Sequence, residues 1–395
     1  MNKFLLDIVN LNLDASCLSS KRWISILEGG NNSFLYNWLK LYVDYNKRII
    51  LGLTGATISD MATNNPETIE LVRRNRDIFE IILRPYSHDI SLIRSPLGFR
   101  INVELGQKII KREFNKYSNF YLPPEFMLTN EFVSILAEIG VDGVFINSNR
   151  FKDELKKRIP NTIYMLKGIM NKSLICIPCL GELTNLYLES IHNYSTDKWN
   201  VGILKHKLEY IYSWRDGESS FFIPDGLERE KQWLISESSD IKRIFLAEHL
   251  KDINFQNIND DTSMVLHYPI HSFYDWMKEF SMLGFVKRIQ SIEANLPNIS
   301  VDSLAIWLQI INSDILSSVE KDSPIINLKT SKNSNSTNKH TIWRSERGFE
   351  GEEFIKYFEL IKKNETPFDY FKTCPEPHLI KLRNRMNYLK SLMEG

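Results

Sequence analysis

Short apolar runs recur along the first 255 residues, and most are followed by stretches whose apolar positions fall three or four apart. Residues 4–11, 48–53, 78–83, 143–146, 173–180 and 208–213 read as buried strands. They are nearly continuous in apolar residues, as strands covered on both faces are. Helical spacing appears at 55–61, 66–76, 225–236 and 247–251, and Asn102 is the expected cap of a helix running to about Tyr117. One stretch, residues 120–136 (FYLPPEFMLTNEFVSIL), breaks the rhythm most sharply. Its aromatic run meets Pro123 and Pro124, which cannot continue a central strand, and Glu125 follows at once. Thr129 and Asn130 then supply capping oxygens, Phe132, Ile135, Leu136 and Ile139 recur at helical spacing, and Gly140 is the expected stop. Glu125 is thus expected where a strand ends and a helical crossover begins. Parallel α/β architectures gather ligands and catalytic groups at that edge.

After about residue 255 the pattern changes. Residues 270–296 and 301–319 carry long helical periodicity, and 351–362 and 377–393 predict two further helices. Between them lies a polar loop at about 329–340, within which residues 331–339 contain no apolar side chain. The expected organisation is a β/α barrel at 1–255 and a helical C-terminal region at 256–395. The expected fold class is α/β, a closed or nearly closed barrel of mostly parallel strands.

Composition adds exclusions. Lys plus Arg and Asp plus Glu number 49 each, so no global field draws the chain to nucleic acid or an acidic membrane surface. No run approaches a membrane span, and Asp7, Asn10, Asn12 and Asp14 interrupt the N-terminal apolar run that a signal peptide would need. The four cysteines are too sparse for a disulfide scaffold. The expectation is a reduced, cytoplasmic protein without nucleic-acid or membrane partners. Aromatic residues make up 12% of the chain, which suits a large core as well as sugar-binding faces.

A second carboxylate cluster, Tyr212-Ser-Trp-Arg-Asp-Gly-Glu218, ends another apolar run and precedes Pro224-Asp-Gly226. Asp216 therefore occupies the same kind of strand end as Glu125, with enough chain between them for two or more βα units. Two carboxylates facing each other across a barrel mouth are what glycoside cleavage needs, one as nucleophile or base and one as proton donor. For either residue alone, capping or an ion pair with Arg215 is the ordinary explanation. Arg215, next to Trp214 in a strand, is expected on the opposite face, pointing out of the barrel.

The runs ILRPYSHDISLI, LPPE with the VDGVFIN strand beyond it, and WRDGESSFFIPDGLEREKQWL resemble successive motifs of glycoside hydrolase family 57, from about residue 45 to 255. The resemblance implies a retaining α-glucan hydrolase or transferase, of amylase or 4-α-glucanotransferase type. It implies a seven-stranded, (β/α)7-type barrel with a helical C-terminal region, an oligo- or polysaccharide as partner, and neither cofactor nor metal. Glu125 matches the family's nucleophile and Asp216, in Asp216-Gly217-Glu218, its acid/base. Tyr86 and His88 match the second motif, with Asp89 standing where proline is usual. The first motif departs. Where a His-Gln-Pro element is expected, this chain has Asn10, Asn12 and Asp14, and the last motif has only a partial counterpart at 307–314. Asn12 and Asp14, with His88 and Trp214, are the expected substrate-binding residues, Trp214 reading equally well as core and His88 as a loop hydrogen-bonder.

Two alternatives stay open. The altered first motif fits a carbohydrate-binding or regulatory barrel without turnover. His267 and His271 have the i, i+4 spacing of a metal pair, as metal-dependent polysaccharide deacetylases on a related barrel require. However, Pro269 breaks the helix that would align them, and the Asp-Asp motif of those enzymes' first strand is missing. Cys176-Ile-Pro-Cys179 has redox spacing but lies in a strand-like run, which predicts two buried thiols.

Overall fold

The computed structural model describes residues 2–13, 26–147, 163–168, 172–253, 287, 289–312 and 376–394. In chain order the strands are β1 (Lys3–Leu11), β2 (Ile49–Leu53), β3 (Phe79–Leu83), β4 (Ser118–Tyr121), β5 (Gly143–Asn147), β6 (Tyr164–Lys167), β7 (Ser173–Cys179), β8 (Tyr210–Asp216) and β9 (Ile241–Arg243). The helices are α1 (Phe34–Asp44), α2 (Gly55–Asn64), α3 (Pro66–Arg74), α4 (Pro96–Phe114), α5 (Asn130–Glu138), α6 (Glu182–Asn193), α7 (Asp197–Leu204), α8 (Gly226–Ile235), α9 (Leu246–His249), α10 (Val301–Ile310) and α11 (Glu376–Glu394).

The strands hydrogen-bond in the order β6-β7-β5-β4-β3-β2-β1-β8. All of these pairings are parallel except β6 with β7. The ring closes where Leu180, just past β7, bridges Ser213 of β8 and its N–H donates to the Tyr212 carbonyl at 2.8 Å. Seven parallel strands therefore form a barrel, with β6 attached outside the ring and β9 pairing the first residues of β1. The expected fold class holds.

Period-two alternation sorts the side chains. Leu6, Ile8, Ile50, Ile82, Phe145 and Trp214 fill the barrel interior, while Leu5, Val9, Leu51, Ile81 and Val144 face the helical layer. Each β-to-α turn from β2 to β4 ends on a capping side chain. Thr54, Ser95 and Thr129 accept the N–H of Thr57, Gly98 and Phe132 respectively. These caps satisfy helix donors that would otherwise be orphaned.

Ser95 rather than Asn102 starts α4, because Pro96 fits the first helical turn and Ser95 is placed to cap it. Asn102 instead sits buried in the helix and clamps the loop after β3. Its Oδ1 accepts the Ser87 N–H at 2.8 Å and its Nδ2 donates to the Ser87 carbonyl at 3.1 Å.

The C-terminal region docks on the barrel through buried charge. Glu293 accepts from Arg94 Nη1 at 2.6 Å and from the Ser95 N–H at 2.7 Å. Arg385 of α11 grips Asp60 of α2 through two hydrogen bonds of 2.9 and 2.5 Å and donates to Gln309 of α10 at 2.7 Å. The polar loop at 329–340 lies outside the described residues.

Helix α4 approaches the end of β3 closely. A Cβ built at Gly106 would stand 2.1 Å from the Arg84 carbonyl oxygen. Gly106→Ala is therefore expected to push α4 off the barrel and to cost about 1–3 kcal/mol, measured as a lowered denaturant midpoint. An unchanged midpoint would mean that the helix moves freely at this contact.

Candidate active site

The strand order brings the sequence-expected carboxylates to one mouth. β1 lies between β8 and β2, and Asn10 is level with Asp216 on one side and Gly52 on the other. Asn10 Nδ2 donates to Asp216 Oδ1 at 2.8 Å, and the Asn12 N–H donates to Glu218 Oε2 at 2.8 Å. The rebuilt strand-one residues thus hold the Asp-Gly-Glu triplet directly. Burial raises the pKa of Asp216, opposed by the Asn10 hydrogen bond and the charge of Arg84.

Glu125 is reached by a tight turn after β4. The Phe126 and Met127 N–H groups donate to the Pro123 and Pro124 carbonyls. Glu125 and Phe126 take φ of +53° and +54°, backbone that costs a non-glycine residue about 1–3 kcal/mol each. Phe126 lies edge-on to Trp214 with ring centroids 5.0 Å apart, which secures the turn to the barrel interior. Trp214 therefore belongs to the inner core and also flanks the turn that carries Glu125.

Arg84 joins these groups. It extends the interior row Glu80, Ile82 of β3 by one more step towards the mouth. At the opposite end of the row Glu80 caps α9, accepting the Leu246 N–H at 2.7 Å. The Arg84 side chain is buried, and the charges of Asp216, Glu218 and Glu125 all act on it. Burial lowers its pKa to about 10, opposed by those carboxylates. Arg84 was not singled out from the sequence. The available signal was a charge four residues after Glu80, in phase with the inward side of an otherwise apolar strand.

The other expected site residues are placed as follows. His88 is buried in the loop leaving β3. Beside it Asp89, the departure from the family's proline, is wholly buried 4.0 Å from Arg94 and bridges Asn312 through its backbone. Burial pushes the Asp89 carboxyl up to about 7, opposed chiefly by Arg94. Asn12 is buried, and its Oδ1 accepts from the Thr54 hydroxyl at 3.4 Å. Asp14, His267 and His271 lie outside the described residues. Among the described residues no group of three or more His, Cys, Asp or Glu is arranged to hold a metal ion, and no helix is long and apolar enough to cross a membrane.

Cys176 faces the helical layer and Cys179 the barrel interior, as three-residue spacing along a strand requires, so both are buried and form no disulfide with one another. Burial pushes the Cys176 thiol up to about 12, which keeps it protonated and unreactive.

Arg215 lies outside the barrel wall, as expected, but within a second buried polar cluster. It binds Asp7 through Nε and Nη2 at 3.1 and 3.0 Å, donates to the Tyr42 hydroxyl at 2.5 Å, and reaches Glu230 at 3.4 Å. Arg243 continues the cluster to Asp7 at 2.7 Å and to Glu237 at 2.8 Å. This cluster is the rear support of β8, the strand that presents Asp216.

Seven parallel strands around an apolar interior, crowned by carboxylates and amides at their C-terminal ends, define a (β/α)7 barrel with an acidic mouth. Residues 28–317 match the model of glycosyl hydrolase family 57, and the chain belongs to that family. Among solved structures it is similar to a family 57-type branching enzyme from Pyrococcus horikoshii, at 9% identity and a TM-score of 0.59, covering 100% of this chain and 96% of that one. It is similar also to an α-amylase from Thermotoga maritima, at 10% identity and a TM-score of 0.56, covering 99% and 97%. A third is a 4-α-glucanotransferase from Thermococcus litoralis, at 11% identity and a TM-score of 0.52, where the match covers 89% of this chain but only 56% of that one. These likenesses establish the fold. No curated protein sequence matches the chain significantly.

Proposed function

We propose that this protein is a retaining glycoside hydrolase or transglycosidase acting on α-glucan-type saccharides. Glu125 attacks the anomeric carbon while Asp216 protonates the departing glycosidic oxygen. The C–O bond to the leaving group breaks as the glycosyl–Glu125 ester forms. Asp216, now ionised, then takes a proton from water or a sugar hydroxyl, which displaces Glu125 and restores both residues.

The observation that carries this reading is the environment of Asp216. Its burial raises the carboxyl pKa as a proton donor requires, while the charge of Glu125 acts on the same neighbouring guanidinium. The family and the activities of the structural neighbours, branching enzyme, amylase and glucanotransferase, support the substrate class.

One observation favours a second reading, a carbohydrate-binding barrel without turnover. Asn10 and Asn12 are engaged with Asp216 and Glu218, which leaves less of strand one to grip a sugar. Incubation of the full chain with amylose, maltooligosaccharides and glycogen separates the two. Shortened or rearranged chains are expected, and binding without any change in chain length would overturn the enzymatic reading.

A further inference from the structure

Arg84 is completely enclosed, yet the protein uses one of its three nitrogens. Nη1 donates to the Leu122 carbonyl at 2.9 Å, while Nε and Nη2 have no hydrogen-bond partner among the described residues. Buried guanidinium N–H groups without partners are costly and uncommon. Arg215 and Arg243 of the rear cluster direct theirs onto carboxylates.

The stem of Arg84 is held in place. It lies across Gly52 of the neighbouring strand, where an added Cβ would come 3.3 Å from both Cγ and Cδ of Arg84 and 3.0 Å from Leu122 Cδ2. Level with Gly52, Asn10 gives its Nδ2 to Asp216, which leaves its Oδ1 buried and without a partner among the described residues. Asn10 stands beside Asp216, and Arg84 lies further along the same side, across Gly52 of β2, so an acceptor and donors share the wall next to that carboxylate. Adjacent sugar hydroxyls, each able to accept and to donate, match that set.

We propose that Arg84 is a substrate-binding residue of the subsite where the bond is cleaved, donating Nε–H and Nη2–H to hydroxyl oxygens of a neutral glycosyl unit while Asn10 Oδ1 accepts from one of those hydroxyls. The assignment rests on the glycosidase reading of Glu125 and Asp216. A neutral glycosyl unit fits the charge balance, because the charges of Glu125 and Glu218 already act on the one guanidinium and an acidic sugar would add repulsion.

The test is calorimetric titration of maltooligosaccharide into the full-chain Glu125→Gln protein, with and without Arg84→Met. Affinity is expected to fall roughly ten- to a hundredfold on loss of the charged donors. Arg84→Lys keeps the charge and a donor for the Leu122 carbonyl but not the planar fork. It is expected to bind nearly as weakly as Arg84→Met, whereas a purely structural arginine would be rescued by it. Mono-deoxy ligands add a reading that folding does not move, since one missing hydroxyl should weaken binding to Glu125→Gln and leave Glu125→Gln/Arg84→Met unaffected. If Arg84→Met does not fold, Gly52→Ala displaces the stem while keeping the arginine and should weaken binding in the same direction.

Equal affinities with and without Arg84 would assign those N–H groups to solvent and overturn the proposal, as would no binding to either protein. Wild-type turnover is measured in parallel. Turnover with Arg84-independent binding overturns Arg84 alone, and Arg84-dependent binding without turnover overturns the glycosidase reading alone.

Discussion

Glu125→Gln is expected to abolish turnover of every α-glucan that the wild type consumes, and Asp216→Asn to slow it by about 10²- to 10⁴-fold. The amides keep the shape of the carboxyls they replace, so melting temperatures should stay close to wild type. The two losses differ in kind. Without Glu125 no glycosyl ester forms, whereas without Asp216 an activated leaving group such as fluoride still departs, so glucosyl fluoride should restore turnover to Asp216→Asn but not to Glu125→Gln. Turnover of unactivated glucans surviving Glu125→Gln would sink the assignment.

The pH profile carries a sign. Asp216 must hold its proton to act as the acid, and its pKa is raised. Activity is therefore present below that pKa and lost as pH rises through it. Asn10→Ala removes the hydrogen bond that favours the ionised form, so the alkaline limb should move to higher pH. A limb that stays in place or moves down would show that Asn10 does not act on Asp216.

Arg215→Met is expected to cost the fold about 3–5 kcal/mol, because it leaves buried Asp7 and Glu230 short of their shared cation. Burial alone would raise Asp7, but Arg215 and Arg243 outweigh it and hold the carboxyl below its ordinary value. The same balance of burial against Arg243 and Lys47 holds Glu237 low. Carboxyls with depressed folded pKa values contribute stability that is present above their unfolded pKa, near 4, and lost as pH falls through the folded value. The wild type should therefore weaken steadily in acid, and Arg215→Met should show a shallower acid slope because Asp7 is then held less tightly. Denaturant midpoints measured across that range test both statements. A variant as stable as wild type, with the same slope, would mean that the substituted methionine packs well enough against Tyr187 and Trp233 to replace the ion pairs.

Strands buried on both faces were legible in the sequence because continuous apolar runs have no other soluble explanation, and residues 4–11 and 143–146 nearly coincide with β1 and β5. Glu125 and Asp216 were legible as strand-end carboxylates, although their approach to a common guanidinium was not. Local patterns do not encode closure. Leu180 and Ser213 meet only after the intervening helices have folded, so the ring is a tertiary event. Asn102 was mistaken for a cap because the chemistry that caps a helix also clamps a loop, and burial decides between them. Helix α1 went unread, although Ser33 caps it at Tyr36, because its apolar residues crowd more than one face. Arg84 escaped because reading a strand by its apolar members ends at Leu83, one residue before it.

The single Leu180–Ser213 bridge makes the barrel a clasp rather than a hoop. Asp216, Asn10, Gly52, Arg84 and Glu125 all belong to the arc β8-β1-β2-β3-β4 or its ends, where each strand is laddered to the next. The ladder shifts register only where β3 meets β4, between Ile82 and Leu83, so Asp216 and Glu125 are tied to one another through neighbouring strands rather than across the clasp.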